Sequence, residues 1–453
     1  MSALHWGLLV IGLFGLVTSS VFLGMVLIGA LRFRRNAARE DARLGERPEY
    51  LPAISLFKPL HGDEIGLEAN LRTFFEQDYL KHVAAAGGRT RKNGVSRVEL
   101  LFCARSRSDE GLEIARRVAA EYPEITARFV TSGAPWAANA KVCSLVAMAK
   151  VASHDLWAIS DSDVRVTPDY LRRIVMPFVD EQVGCATCLY RGVVIKGGLW
   201  SQLEAVGMTV EMSSGICADS LLAPVRFALG PTMVTRRARV EELGGFESIA
   251  EYCADDFVLG NWIAKNGHKV VLSGHAIDHM VLQGGFVDSM KHQVRWMKST
   301  RFSRPRGHLG MSLTFGVPFG VMAWVGALML GMPVLGWCAL SGSVLGRSLQ
   351  AWVVGRYVVR EKRIARAMIL FPLRDLIGPL IWALSYASNR IQWRGEIYEL
   401  VDGGKMRRAA GSVVPFNPSQ LASDMERRER DLVVEEDGFA ARAGQGVDRA
   451  VGG

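Results

Sequence analysis

The chain has seven cysteines and nine histidines in 453 residues, and it lacks the spacings that would make a zinc centre of them. Cys185 and Cys188 form its C-x-x-C, inside "GCATCLY", with no second pair and no histidine pair at ligand distance. A zinc hydrolase is thereby excluded, and an odd number of buried, reduced thiols fits a body kept in the cytosol. There is no internal repeat and therefore no solenoid. The net charge of +9 comes without any aromatic-rich basic motif, so no nucleic-acid partner is implied. Its basic residues instead gather at Arg301, Arg304 and Arg306 and again at Arg356, Arg360, Lys362, Arg363 and Arg366, on either side of an apolar run. Positive-inside topology and anionic lipid headgroups favour that placement.

Charge is also missing from Trp6 to Leu31, a stretch longer than the ~20 residues a helix needs to cross a bilayer. A cleaved signal peptide would carry its positive charge before such a run, whereas Arg32, Arg34 and Arg35 follow it. The expectation is a retained anchor over residues 1–35 whose C-terminal end faces the cytoplasm. Residues 309–346 are again uncharged and too long for one span, which predicts two helices broken near Gly331, Met332 and Pro333. A third candidate, residues 367–389, contains Arg374, Asp375, Pro372 and Pro379 and reads as a span or as a re-entrant or interfacial helix. Residues 309–392 are thus expected to form a C-terminal membrane region, and residues 403–453, rich in Arg, Glu, Gly and Ala, a disordered tail. The overall content, 49% hydrophobic with a mean hydropathy of +0.15, agrees with a multi-pass integral membrane protein.

Between these apolar ends, residues 50–305 have ordinary soluble composition. "AISLFKPL", "RVELLFCAR", "ITARFVTSG" and "DLWAIS" read as strands, and "GLEANLRTFFEQDY", "DEGLEIARRVAAEYP" and "KVCSLVAMAKVA" as the helices between them. Strands that alternate with helices at this spacing predict an α/β domain with a mostly parallel sheet. In such sheets ligands collect at the carboxyl ends of the strands.

Asp161 and Asp163 stand at such an end, in "LWAISDSDVRVTPDYL". Two carboxylates two positions apart repel unless something positive joins them, and Mg²⁺ or Mn²⁺ binds through one or two carboxylates plus the phosphates of its ligand. A diphosphate substrate is one reading of this D-x-D, and a solvated turn is the other. Asn139 and Lys141 in "NAKVCSL" offer an amide and an ammonium where a helix begins, suited to a nucleotide or its phosphates. "GPTMVTRRARVEELGGF" supplies a glycine-bounded loop and a Gly-Gly turn, and "CADDFVLGNWIAKNGHKV" opens a helix on the acidic pair Asp255 and Asp256. Acids in a first helical turn also serve as plain dipole partners. Arg295 and Trp296, in "HQVRWMKSTR", precede the return to the membrane, where a basic-aromatic pair is often an anchor. His279 is open between a ligand and a structural histidine.

The order of these motifs resembles the family 2/21-type glycosyltransferases, most of all the ceramide glucosyltransferase family with its bacterial ceramide and hopanoid-biosynthesis relatives. "FKPLHGDEIGLEANLRTFFEQDY" is similar to that family's K-P-L-x-G segment, "NAKVCSL" to its N-P-K-x-x-N-L and "DSDVRVTPDYL" to its D-S-x-x-R-V-x-P-D. The resemblance implies a GT-A fold, a UDP-sugar donor, a membrane lipid acceptor such as ceramide or a hopanoid, and inverting transfer. Carried over by position, it makes Asp161 and Asp163 the metal carboxylates and Asp256 the general base. It places Arg295 and Trp296 at the diphosphate and acceptor, and Asn139, Lys141, Asp161 and Asp255 among the donor-binding residues. Asp255 would raise the basicity of Asp256 by like-charge repulsion. Two positions depart from the pattern. His292 opens the x-x-R-W element in place of Gln or Arg, and Ser106, in "CARSRSDEG", stands where the family has an early aspartate, with Asp109 nearby. These departures leave room for a rival from another class, a non-catalytic membrane protein that binds nucleotide sugars.

Overall fold

The computed structural model describes residues 2–92, 94–282, 284–393, 396–409 and 434–436. The strands that shape the sheet and the site are β1 (Ile54–Pro59), β2 (Val98–Ala104), β3 (Thr126–Thr131), β4 (Leu156–Ile159), β5 (Val164–Arg165), β6 (Val183–Val194), β7 (Met233–Arg236), β8 (Lys269–Val281), β9 (Arg390–Trp393), β10 (Glu396–Val401), β11 (Lys405–Arg408) and β12 (Val434–Glu436). The helices around them are α1 (Ser2–Glu46), α2 (Leu67–Phe75), α3 (Glu110–Ala120), α4 (Ala140–Val151), α5 (Leu199–Val206), α6 (Asp255–Lys265), α7 (Phe286–Ser303), α8 (Val317–Met329), α9 (Pro333–Val353) and α10 (Ile364–Leu384).

Among the described residues, nine strands form one sheet in the order β12-β3-β2-β1-β4-β7-β6-β8-β5. β3, β2, β1 and β4 pair in parallel, β6 pairs in parallel with β8, and β7 lies antiparallel between β4 and β6, so the two parallel groups share one direction. This is the mostly parallel α/β sheet of the GT-A class, as the sequence led us to expect. The strand sequences are near-continuous apolar runs because both faces are covered. Leu56 and Phe102 enter one core with Phe74 and Tyr170, whereas Phe57 and Leu101 enter the other with Trp157 and Phe246. The same alternation separates Cys185 from Cys188 onto opposite faces, since an odd spacing along a strand cannot point two side chains at one ion.

The apolar ends are helical. α1 continues past the arginines at 32–35 as far as Glu46, and Glu40 near its end accepts from the backbone of Gly274, which ties the helix to β8. Val10, Ile11, Phe14, Val17, Val21, Ile28 and Leu31 lie exposed along it, a surface a water-facing helix would not keep. The stretch 3–46 and α10 are long and apolar enough to cross a membrane. The run at 309–346 breaks at Gly331, with φ 75°, between α8 and α9. With 13 residues α8 is ~20 Å long, shorter than a ~30 Å hydrocarbon core. α10 keeps both prolines inside it, and its polar pair is neutralised internally: Asp375 faces Arg347 of α9 at 3.2 Å and Arg374 faces Glu211 at 2.9 Å.

Part of the segment expected as a disordered tail from 403 is paired in strands. β9, β10 and β11 form an antiparallel meander whose last strand, residues 405–408, lies beyond that boundary, and residues 434–436 pair with β3. Alternate residues explain it: Ile391, Tyr398, Leu400 and Met406 bury one apolar face of the meander against Ala138 and Cys253, which composition alone conceals. The remainder of the expected tail lies outside the described residues.

Candidate active site

β1 and β4 end side by side, Phe57 opposite Ile159, and the chain leaves β4 through Ser160 into the D-x-D turn. Asp161 is partly exposed, and its Oδ1 lies 2.7 Å from the Lys141 ammonium. That ammonium is also 3.6 Å from Asp255 Oδ2 and donates to the Gly230 carbonyl at 3.5 Å. Asp256, at the first turn of α6, accepts from the Gly230 amide at 2.6 Å and from the Phe257 amide at 2.8 Å. Gly230 is thus the meeting point. A Cβ placed there would stand 3.2 Å from Asp256 Oδ2 and 3.6 Å from both Asp161 Oδ2 and Lys141 Nζ. A Cβ would thus press on Asp256 Oδ2 and lie in ordinary contact with the other two groups, so the glycine keeps the space beside the Asp256 carboxylate clear.

This crowding of acids sets their titration. Burial, then the charge of Asp255, pushes the Asp256 carboxyl up to about 6, against the opposing pull of Lys141. Asp161 is raised by burial and by Asp163, with Lys141 opposing. Burial would depress the Lys141 ammonium, but Asp161 and Asp255 beside it hold it above the ordinary lysine range. Asp163 is driven up by burial but brought below its usual value by His279, whose Nε2 is 3.1 Å from its Oδ2. The antiparallel pairing of β5 with β8, Val164 opposite His279, makes that contact.

Expected to touch the donor, Asn139 has no exposed surface. Its Oδ1 caps α4 by accepting from the amides of Lys141 and Val142, while its Nδ2 donates to the Tyr252 carbonyl and to Asp255 Oδ1 at 3.2 Å. A strand-to-helix cap needs a short polar side chain turned inward, so Asn139 holds the site from behind. Asp255, also buried, sits between Asn139 and Lys141 and acts on Asp256 through its charge. Asp109 caps α3 and accepts from the Gly62 amide at 3.0 Å, and Ser106 shares a hydrogen bond with Ser108.

Trp296 reaches the D-x-D turn through His279, on which it stacks at 6.1 Å, and it also contacts His292 at 4.5 Å. His292 in turn bonds Glu204 of α5, which Ser289 also joins. Arg295 lies over the Trp393 ring of the meander at 5.7 Å, and its charge acts on Cys253, two residues before the acidic pair. The meander itself grips that loop: Met406 donates to the Glu251 carbonyl at 2.7 Å and Cys253 to the Gly404 carbonyl at 3.0 Å.

Sequence reasoning gave no role to three contributors: Gly230, quoted there as the start of a glycine-bounded loop, this meander, and Lys58, the lysine of the K-P-L segment. Lys58 is fully buried at the end of β1, donates to the Asp161 carbonyl at 2.7 Å, and is drawn down to about 7 by burial against the pull of Asp161. A lysine inside the apolar run "ISLFKP" was the available signal. As for a cation, no group of three or more His, Cys, Asp or Glu side chains able to hold one occurs among the described residues. Asp163 Oδ1 is nevertheless buried without a hydrogen-bond partner, and Asp161 is partly exposed. Such a pair fits an ion that takes its other ligands from a bound diphosphate.

The profile of glycosyl transferase family 21 matches residues 16–406. The chain belongs to that family. Within it, this family 21 chain is 22% identical over 370 residues to ceramide glucosyltransferase 1 of Caenorhabditis elegans, covering 80% of itself and 74% of the relative. It is 23% identical over 372 residues to ceramide glucosyltransferase 3 of the same organism, covering 79% and 74%. Among solved structures, a mannosyltransferase from Pyrobaculum calidifontis in complex with GDP-Man and Mn²⁺ aligns at 17% identity and a TM-score of 0.45, over 82% of this chain and 99% of that one. S. aureus TarS with UDP-GlcNAc aligns at 11% identity and a TM-score of 0.33, over 79% and 99%.

Proposed function

We propose that this glycosyltransferase moves glucose from UDP-glucose to the hydroxyl of ceramide, with inversion, at the cytoplasmic face of a membrane it crosses more than once. The observation that supports the reading is the convergence of Asp161, Lys141 and the raised carboxyl of Asp256 on Gly230.

An alcohol is a poor nucleophile at neutral pH, so its proton must be taken as it attacks. Asp256, with its carboxyl near 6, is ionised at neutral pH and basic enough to accept that proton on an oxygen while two backbone amides hold it still. The bond from the acceptor oxygen to the anomeric carbon forms as the bond from that carbon to the diphosphate breaks, so an α-linked donor yields a β-glycoside and free UDP. Lys141 and Arg295 are the cations assigned to the charge that develops on the departing diphosphate. Asp161 and Asp163 would hold Mg²⁺ or Mn²⁺, which supplies Lewis-acid stabilisation of the same oxygens. Membrane placement follows from the acceptor: drawing a lipid chain out of the bilayer costs ~0.8 kcal/mol per CH₂, so the site must come to the lipid. The proposed organisation is an anchor at 1–35, the catalytic domain at 50–305 and a membrane region at 309–392.

Expression in a host supplied with both ceramide and hopanoid, followed by mass spectrometry of the lipid extract, tests this. A hexosyl-ceramide peak that disappears in Asp161→Asn is expected. A glycosylated hopanoid alone would overturn the acceptor, and binding of UDP-sugar with no glycolipid formed would overturn the enzyme.

A further inference from the structure

An ammonium sealed from water costs several kcal/mol unless its surroundings compensate, so a lysine with no exposed surface calls for a reason. Lys58 donates to the Asp161 carbonyl oxygen at 2.7 Å and to Ser160 Oγ at 3.3 Å, and its Nζ stands 3.6 Å from the centre of the Phe74 ring. Both hydrogen bonds go to the two residues through which the chain passes from β4 into the acidic turn. Two carboxylates of that turn repel, the more so when no cation bridges them. Lys141 and His279 answer the repulsion at the side chains, at 2.7 and 3.1 Å. Neither of those contacts holds the backbone that aims the side chains. Lys58 does, together with Asn70, which donates to the Ser162 carbonyl at 3.1 Å, and the Met280 amide, which donates to the Asp163 carbonyl at 2.7 Å; the aim of the lysine is fixed by Phe74, a fully buried ring of α2.

We infer that Lys58 is a positioning residue, which locks the Asp161–Asp163 turn in the geometry that receives a divalent cation together with a nucleoside diphosphate. The inference rests on the proposed donor chemistry and deepens it. A purely structural lysine would behave differently. Its loss would lower stability alone and leave the Mn²⁺ requirement of the folded protein unchanged, whereas loss of a positioning lysine changes both, because removing one partner of a buried charge is destabilising in either case.

The experiment uses the full chain in detergent, with UDP binding measured calorimetrically across a Mn²⁺ series and thermal unfolding measured in parallel. For Lys58→Met, which leaves the Asp161 carbonyl without its donor, we expect a lower Tm and, in the protein that is folded, UDP affinity about tenfold weaker and a half-saturating Mn²⁺ concentration raised by a similar factor. Lys58→Gln keeps a donor toward the Asp161 carbonyl without the charge, and about threefold weaker binding is expected; it decides the matter if the Met variant does not fold. Wild-type UDP affinity and Mn²⁺ requirement in a folded Lys58→Met, or in Lys58→Gln should that be the variant judged, would overturn the inference alone. Absence of UDP binding by the wild type would overturn the proposed donor and the inference together. UDP binding without glycolipid formation would overturn the acceptor chemistry and leave the inference standing.

Discussion

Replacing Asp256 by Asn should make the protein more stable at neutral pH while abolishing transfer. The carboxyl is raised from 3.8 to about 6 by burial and by Asp255, and each tenfold change in acidity is worth ~1.4 kcal/mol, so its ionised form costs the fold about 3 kcal/mol at pH 7.5. The amide carries no charge to bury or to repel Asp255. It does forfeit one of the two backbone hydrogen bonds, from Gly230 or Phe257, at ~1–2 kcal/mol. The net gain is roughly 1–2 kcal/mol, which for a domain of this size is a rise in Tm of roughly 2–6 °C. The pH dependence has a definite sign. Because the folded value lies above the unfolded one, the penalty is absent below pH ~4, grows as pH rises toward 6 and is complete above it. The advantage of the variant should therefore be full at pH 7.5 and shrink as pH falls through 6. Thermal unfolding in detergent from pH 4.5 to 8, with UDP release measured on the same preparations, provides the check. A variant less stable than wild type at pH 7.5, or a difference that does not vary with pH, would refute the electrostatic account, and wild-type turnover would refute the assignment of the base.

Three further outcomes are expected. The wild-type kcat/KM should rise with pH to a plateau with its half-maximum near 6, and a profile flat from pH 5 to 8 would remove Asp256 from proton transfer. Lys141→Met leaves Asp161 and Asp255 without their shared cation, so UDP-sugar affinity measured by titration should fall by about tenfold or more; affinity within twofold of wild type would deny the lysine that place. Deleting residues 390–453 frees the loop before the acidic pair from Met406 and Gly404, which should lower kcat at saturating donor by about tenfold, whereas an unchanged kcat would make the meander a bystander.

The strand and helix alternation, the D-x-D at a strand end and the acidic pair at a helix start were legible because each depends on neighbours along the chain: periodicity, a cap, a charge beside an apolar run. Asn139 was legible as a polar residue at a helix start, and its inward turn was not, because burial depends on what packs over the cap. His279 was undecidable until β5 paired with β8, a register set by residues more than a hundred positions apart. The meander was hidden for a related reason: its apolar residues alternate with charged ones and bury only when three short strands align.

By itself, then, the order of residues settled which segments are apolar enough to leave water, which are strands of a two-faced sheet, and which acids end them, since hydrophobic period and local charge act over a few residues. Folding in three dimensions decided that Lys58 would lie beneath Asp161, that Gly230 would gather Lys141, Asp161 and Asp256, and that Asp255 would be sealed behind them. Electrostatic and packing energies depend on distance in space, and no spacing along the chain fixes those distances.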